Sequence, residues 1–463
     1  TDIITLNGAA KQAITAGSGR GNEVFLNYAL GGSLSAQTAS LISGFDILGV
    51  TGAIGIGTQT IDLSQFSKDN ITSLDVQSGA FSGALIFSQV AAGTTLQVET
   101  GDAQDITYQT ANASGASDSA SVTLGTAGAN GAVTHALTLQ DAALNGIGTV
   151  IMDTLGQAGY SQTVRQLNDT GLTHLTLAGA QSLVLTTLVD NAATLSVTDN
   201  AGGGSAIHTL TAPGLASATF TAAGSGVLTV GDANDAGTQL ASLTLNGNVA
   251  FNMTADAVTT GVTVSGSSDN QAVSLVLTNG AAAGHTDAIT LGNGANQIVD
   301  GSAQGQVNIV VGSGANQITL TGSGVSGTVT LAAHAAGTAD TLTISATGYT
   351  GNAANLMITG FNPGAADQIV FAADTKAGSS VTAIAASSVS AYAASNGLDA
   401  TQLSTWVNYA LASGGLDLAS HATASFQLQG NTFLVEQAGA TGAAFGAGDT
   451  LVGLTGTVTL SQL

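Results

Sequence analysis

The chain contains no cysteine, two prolines (Pro213 and Pro363) and five lysine or arginine residues among 463. Without cysteine no disulfide can form, so stability must come from chain size, backbone hydrogen-bond ladders or bound metal. Five cations cannot neutralise a run of phosphates, which excludes nucleic acid as a partner. Aromatic residues make up 4% of the chain, too few for a bulky globular core, and they imply thin layers of Ala, Val, Ile and Leu. Glycine, serine or threonine interrupts every apolar run before it reaches the roughly 18 residues of a membrane-spanning helix, so none is expected. The first 30 residues hold no basic segment leading an apolar run, and residue 1 is Thr. The expectation is therefore a fragment of a longer chain, or export through a signal elsewhere than the N-terminus.

What is present is acidic and apolar together. Five bases against 28 acids give 5 − 28 = −23, while hydrophobic residues reach 44% and the mean hydropathy is +0.35. A disordered acidic chain would be charge-dense and poor in apolar residues, so this one is expected to fold. Of the 28 acids, 25 are the short-armed Asp. Carboxylate oxygens suit hard divalent cations such as calcium, and Asp also favours turns; the two readings are compatible.

A seven-residue phrase occurs twice, Gly292-Asn-Gly-Ala-Asn-Gln-Ile298 and Gly312-Ser-Gly-Ala-Asn-Gln-Ile318, at an offset of 20 residues. A glycine-rich turn followed by a short β-branched strand at constant spacing is the signature of coils stacked in a parallel β-solenoid. Strand phrases such as Leu175-Thr-Leu, Leu195-Ser-Val-Thr, Leu243-Thr-Leu-Asn, Ile289-Thr-Leu, Val329-Thr-Leu and Leu342-Thr-Ile share one phase, apolar then hydroxyl then apolar. One face points to a narrow core and the other carries hydroxyls. The expected fold class is all-β, with an irregular β-rich domain over 1–165, a solenoid over 166–350 and a small mixed α/β cap over 351–463. In the cap, Leu403, Trp406, Val407, Ala410 and Leu411 fall on one helical face that Asp399 can cap and Gly414-Gly415 can end. Phe426–Val435 reads as a hairpin turning at Gly430-Asn431.

The phrase at 292–298 and 312–318 resembles the glycine- and aspartate-rich nonapeptide of RTX proteins, calcium-binding parallel β-rolls exported by type I secretion. The first glycine of that nonapeptide is missing, and Asn296 and Asn316 stand where the family carries its calcium-ligating Asp. The resemblance implies two alternatives: coils held by stacked Asn side chains, or calcium held with the help of Gly292, Gly294, Asn296, Gly312, Gly314 and Asn316. In either case it implies calcium at the neighbouring acids Asp287, Asp300, Asp340 and Asp367. Ile358-Thr-Gly-Phe-Asn-Pro-Gly-Ala-Ala-Asp-Gln-Ile-Val-Phe371 is similar to the segment that closes RTX arrays. Thr432–Glu436 and Asp449–Gly456 resemble the uncleaved C-terminal export signal of the same family.

The phrases Leu41–Val50 and Ile61–Phe66 resemble strands of surface-layer proteins from Gram-negative bacteria. That resemblance implies a structural protein of the cell exterior, assembling with copies of itself into a calcium-stabilised two-dimensional lattice. It also implies anchoring to lipopolysaccharide, through a segment absent from this sequence or by another mechanism. The alternative is an RTX-like adhesin or biofilm-matrix protein that binds a glycan, a cell or a surface. The sequence carries none of three common enzymatic signatures. His-Glu-x-x-His is absent, no Ser has Gly at both −2 and +2, and no Lys follows a glycine-rich loop. The six histidines, His135, His174, His208, His285, His334 and His421, are scattered singly and read as solvated loop or strand-end residues. No catalysis is expected.

Overall fold

The computed structural model describes residues 1–463 apart from 53, 78–82, 100–103, 114–116, 157–160, 235–239, 257–259, 278–283, 302–304, 323, 335–337, 346, 373–379, 440–441, 443, 447 and 461–463. It is a parallel β-solenoid of about 14 turns, with 48% of residues in strands and a small helical C-terminal part. The chain divides into two compact units, Thr1–Gly237 with Asn246–Phe251, and Thr238–Leu245 with Asn252–Leu463.

In the first unit, strands stack in parallel at one position per coil from the start. Ile3–Leu6, Glu23–Leu26, Ile47–Val50, Ser73–Val76, Thr95–Val98, Ser119–Leu124, Thr149–Thr154 and His174–Gly179 form one such series. Parallel register places like side chains above one another, so Val24, Leu48, Leu74, Leu96, Val122, Met152 and Leu177 form a column, each fully buried. Full burial of a Leu or Val contributes about 1.5–3 kcal/mol, and the column repeats that gain at every coil. The parallel stack expected from residue 166 onward therefore already runs through residues 1–165. Its coils there are of unequal length, with register shifts between Tyr108 and Thr110 and between Val133 and Ala136. One short helix, α1 (Ala36–Ser40), interrupts them, with Ser35 accepting the Thr38 N–H at 3.2 Å.

In the second unit, the column Leu243, Val264, Ile289, Ile309, Val329 and Ile358 is built the same way, and Leu275, Ile298, Ile318, Leu342 and Ile369 form the facing one. The two copies of the repeated phrase are successive coils, with Gln297 registered on Gln317 and Ile298 on Ile318. The C-terminal end changes topology. Strand Thr450–Leu454 runs parallel to Leu356–Thr359 and antiparallel to Asn431–Gln437, which pairs with Ala422–Leu428. The pairing covers a solenoid edge that would otherwise present open N–H and C=O groups.

Two further helices, α2 (Ala386–Asn396) and α3 (Leu403–Leu411), pack on this part. The predicted face of α3 is the buried one: Trp406 stacks on Phe426 with ring centroids 5.1 Å apart, and its indole N–H donates to the Ala400 carbonyl at 2.8 Å. Two details differ from expectation. Gln402, not Asp399, is the N-cap residue of α3, because the Asp399 carboxylate is turned into the preceding loop, where it accepts from the Thr401 N–H and hydroxyl. The hairpin turns at Gln429-Gly430, one residue earlier than expected, since both adopt positive φ and Leu428 pairs with Asn431.

Candidate metal centre

Four residues that immediately precede strands in the second unit, Asn296, Asn316, Asp340 and Asp367, stack one per coil. Their side chains form a ladder. The backbone N–H and the Nδ2 of Asn296 both donate to Asn316 Oδ1, at 3.4 and 2.9 Å. Asn316 repeats the pattern, donating from N and Nδ2 to Asp340 Oδ1 at 2.9 Å each. The Asp340 N–H donates to Asp367 Oδ1 at 3.0 Å, and the Asn362 N–H closes the series on Asp367 Oδ2 at 2.8 Å. All four are buried, so the ladder satisfies backbone and side-chain donors that water does not reach.

The expected calcium ligands divide accordingly. Asn296 and Asn316 link the coils by amide stacking, and their Nδ2 groups donate to the Gly292, Gly312 and Gly314 carbonyls at 2.8–3.1 Å. The glycines have a packing reason. A Cβ on Gly292 or Gly294 would overlap the carbonyl oxygen of Asp269 or Gln271, and on Gly312 or Gly314 the backbone of Gly292 or Gly294 one coil back. Asp287 lies apart from the ladder, its Oδ1 accepting the Val262 N–H at 2.9 Å, and Asp300 is buried at the end of strand Gln297–Asp300.

The structure does bring Asp340 and Asp367 together, and adds His334. A solvated loop position was expected for that histidine, yet its side chain is 1% exposed. Its Nε2 lies 2.8 Å from Asp367 Oδ1 and 3.6 Å from Asp340 Oδ2, and one donor atom from each residue falls within 4.8 Å of the others. Among the described residues it is the group of this kind that could hold a metal ion. Burial raises the Asp340 carboxyl above the usual range, the Asn316 donors lower it, the Asp367 charge raises it and His334 lowers it.

Buried acids of the first unit use the same capping chemistry, with no metal-type cluster among the described residues. Asp169 Oδ1 accepts the Ile147 N–H at 2.7 Å, and Asp190 Oδ1 accepts the Leu172 N–H at 3.2 Å. Burial drives Asp169 up to about 8 and Asp190 to about 6, despite those donors. Asp75 is driven to about 7 by burial and then by the charges of Glu99 and Glu23.

No family model matches the chain, and no curated protein matches its sequence. Among the described residues no helix is long and apolar enough to cross a membrane. Fold and site define a class all the same: an acidic parallel β-solenoid whose coils are joined by buried Asx ladders.

Proposed function

We propose that this is a structural protein of the cell exterior whose copies assemble side by side into a two-dimensional layer. The observation that carries the reading is the outward side of the coils. Parallel register aligns uncharged polar residues there into ladders, such as Ser274, Gln297, Gln317, Thr341 and Gln368, or Thr244, Ser265, Thr290, Thr330 and Thr359, the last broken only by Val310 between Thr290 and Thr330. Short hydroxyl side chains lose little entropy on docking, and with 7% charged residues in the chain such a face meets a copy of itself with little charge to desolvate. The charge of −23 opposes close approach, so calcium bridging carboxylates of neighbouring copies is the natural complement.

Lysine placed on a ladder tests the reading. Thr330→Lys or Gln317→Lys leaves the outward face folded, within about 0.5 kcal/mol of the parent, and abolishes calcium-dependent assembly in sedimentation velocity. Assembly that survives both substitutions rejects these faces as the contact. Monomers in calcium that bind a glycan or a surface favour the adhesin instead.

A further inference from the structure

At Asp340 the Asx ladder changes character. In each Asn step the side chain supplies an Nδ2 donor to the residue one coil on, but Asp340 has none, so two carboxylates stack with only the Asp340 N–H between them. Both are buried, Asp340 fully and Asp367 at 5% exposure. Two buried carboxylates need either a bound proton or a compensating charge close by. His334 sits where it can help supply one, yet among the described residues neither of its buried ring nitrogens makes a hydrogen bond, and Asp340 Oδ2 accepts none.

From this geometry we infer that His334, Asp340 and Asp367 bind one divalent ion of the zinc type, and that the ion fastens three successive parts of the second unit. A protonated histidine would leave one of two negative charges uncompensated, whereas a dication neutralises both. The donor set is one imidazole nitrogen and two carboxylate oxygens. Calcium takes six to eight oxygens and is poorly served by it, while zinc favours nitrogen with oxygen and four-coordination. Donors placed tetrahedrally at about 2.0–2.1 Å from an ion are separated by about 3.3 Å. The observed 2.8 and 3.6 Å bracket that value. Three protein ligands leave a fourth position for water.

The role is structural. His334 follows strand Ser326–Leu331, Asp340 precedes Thr341–Ile344, and Asp367 precedes Gln368–Phe371. An ion there ties the exit of one strand to the entries of two stacked coils, next to the point where Leu356–Thr359 receives the C-terminal strand. The site is independent of the assembly reading, since every ligand comes from one chain and lies inside it.

The test uses the full chain without a polyhistidine tag, stripped with a chelator and titrated with cobalt(II), zinc and calcium chlorides. One equivalent of cobalt is expected to bind with the visible absorption of a tetrahedral N/O site, zinc to displace it, and calcium at the same concentration to leave it in place. His334→Gln is expected to weaken cobalt binding by more than about the hundredfold typical of losing an outer-shell partner. Absence of stoichiometric binding, unchanged binding in His334→Gln, or displacement by calcium overturns the assignment. X-ray absorption on the zinc-loaded parent protein needs no variant: one imidazole among oxygen ligands supports the site, and an all-oxygen or multi-imidazole shell rejects it.

Discussion

Asp340 Oδ1 receives both the backbone N–H and the side-chain Nδ2 of Asn316, at 2.9 Å each. One oxygen thus satisfies two buried donors from the coil before it. This relation explains why an Asn rather than an Asp stands at 316: a carboxylate there would face Asp340 with no proton to share.

Replacing Asn316 by Asp is therefore expected to destabilise the second unit by about 2–4 kcal/mol, through a lost donor and a buried like-charge pair. Asn316→Ala removes the donor without adding charge, and its loss is expected to be smaller. Urea denaturation of both variants, with m-values compared, checks the order. Equal losses would show that charge is not the deciding term.

Gly314→Ala forces a Cβ against the Gly294 carbonyl, and backbone cannot yield as a flexible side chain does. A loss of about 3 kcal/mol or more is expected, at the upper end of overpacking costs. Gly8, with nothing within 4 Å of its Cβ position, is the control, and Gly8→Ala is expected to be close to neutral. The Gly314→Ala effect is expected to be the same in calcium and in EGTA. A loss seen only in calcium would return this glycine to a metal-binding role.

The buried acids of the first unit set a pH dependence. Asp75 at about 7 and Asp169 at about 8 are raised from an ordinary value of 3.8, so they stay protonated in the folded state while the unfolded chain ionises. The folded state then binds more protons, and stability falls as pH rises from about 4, up to about 7 for Asp75 and about 8 for Asp169, by up to about 1.4 kcal/mol per pH unit for each group. Melting temperatures are expected to rise on acidification from pH 8 to pH 5. Asp75→Asn is expected to flatten part of that slope, and an unchanged slope would remove Asp75 from the explanation.

Trp406 is the sole tryptophan and is 4% exposed. Trp406→Ala is expected to cost about 3–5 kcal/mol in the C-terminal core. Because its stack with Phe426 is reached only when the hairpin is in place, the fluorescence of the parent protein reports that core alone. A red shift at lower urea than the loss of β-sheet circular dichroism is the expected sign that this core opens first. Coincident transitions would show that it unfolds together with the coils.

The solenoid was legible because its coils repeat a chemical phase. Leu-Thr-Leu and Ile-Thr-Leu put alternate residues in and out, and the 20-residue offset of the glycine phrase is one turn. The stacked coils of residues 1–165 were not legible, since no two of their turns share a phrase. Helix α2 escaped notice because its buried stripe is only Val389 and Ala393 in a Ser- and Ala-rich segment. At the site, Asn296-Gln-Ile, Asn316-Gln-Ile, Asp340-Thr-Leu and Asp367-Gln-Ile are one recurring phrase, Asx before a strand, which announces the ladder. His334 gave no such signal. It acts across a turn and a whole coil, and only the register that places Thr341 on Gln368 brings its two carboxylates together.

The most direct test of the account as a whole is electron microscopy of the purified protein with millimolar calcium and with EGTA. Ordered two-dimensional sheets in calcium that disperse in EGTA are the predicted result. Single particles of the same size in both conditions would contradict assembly as the function of this solenoid.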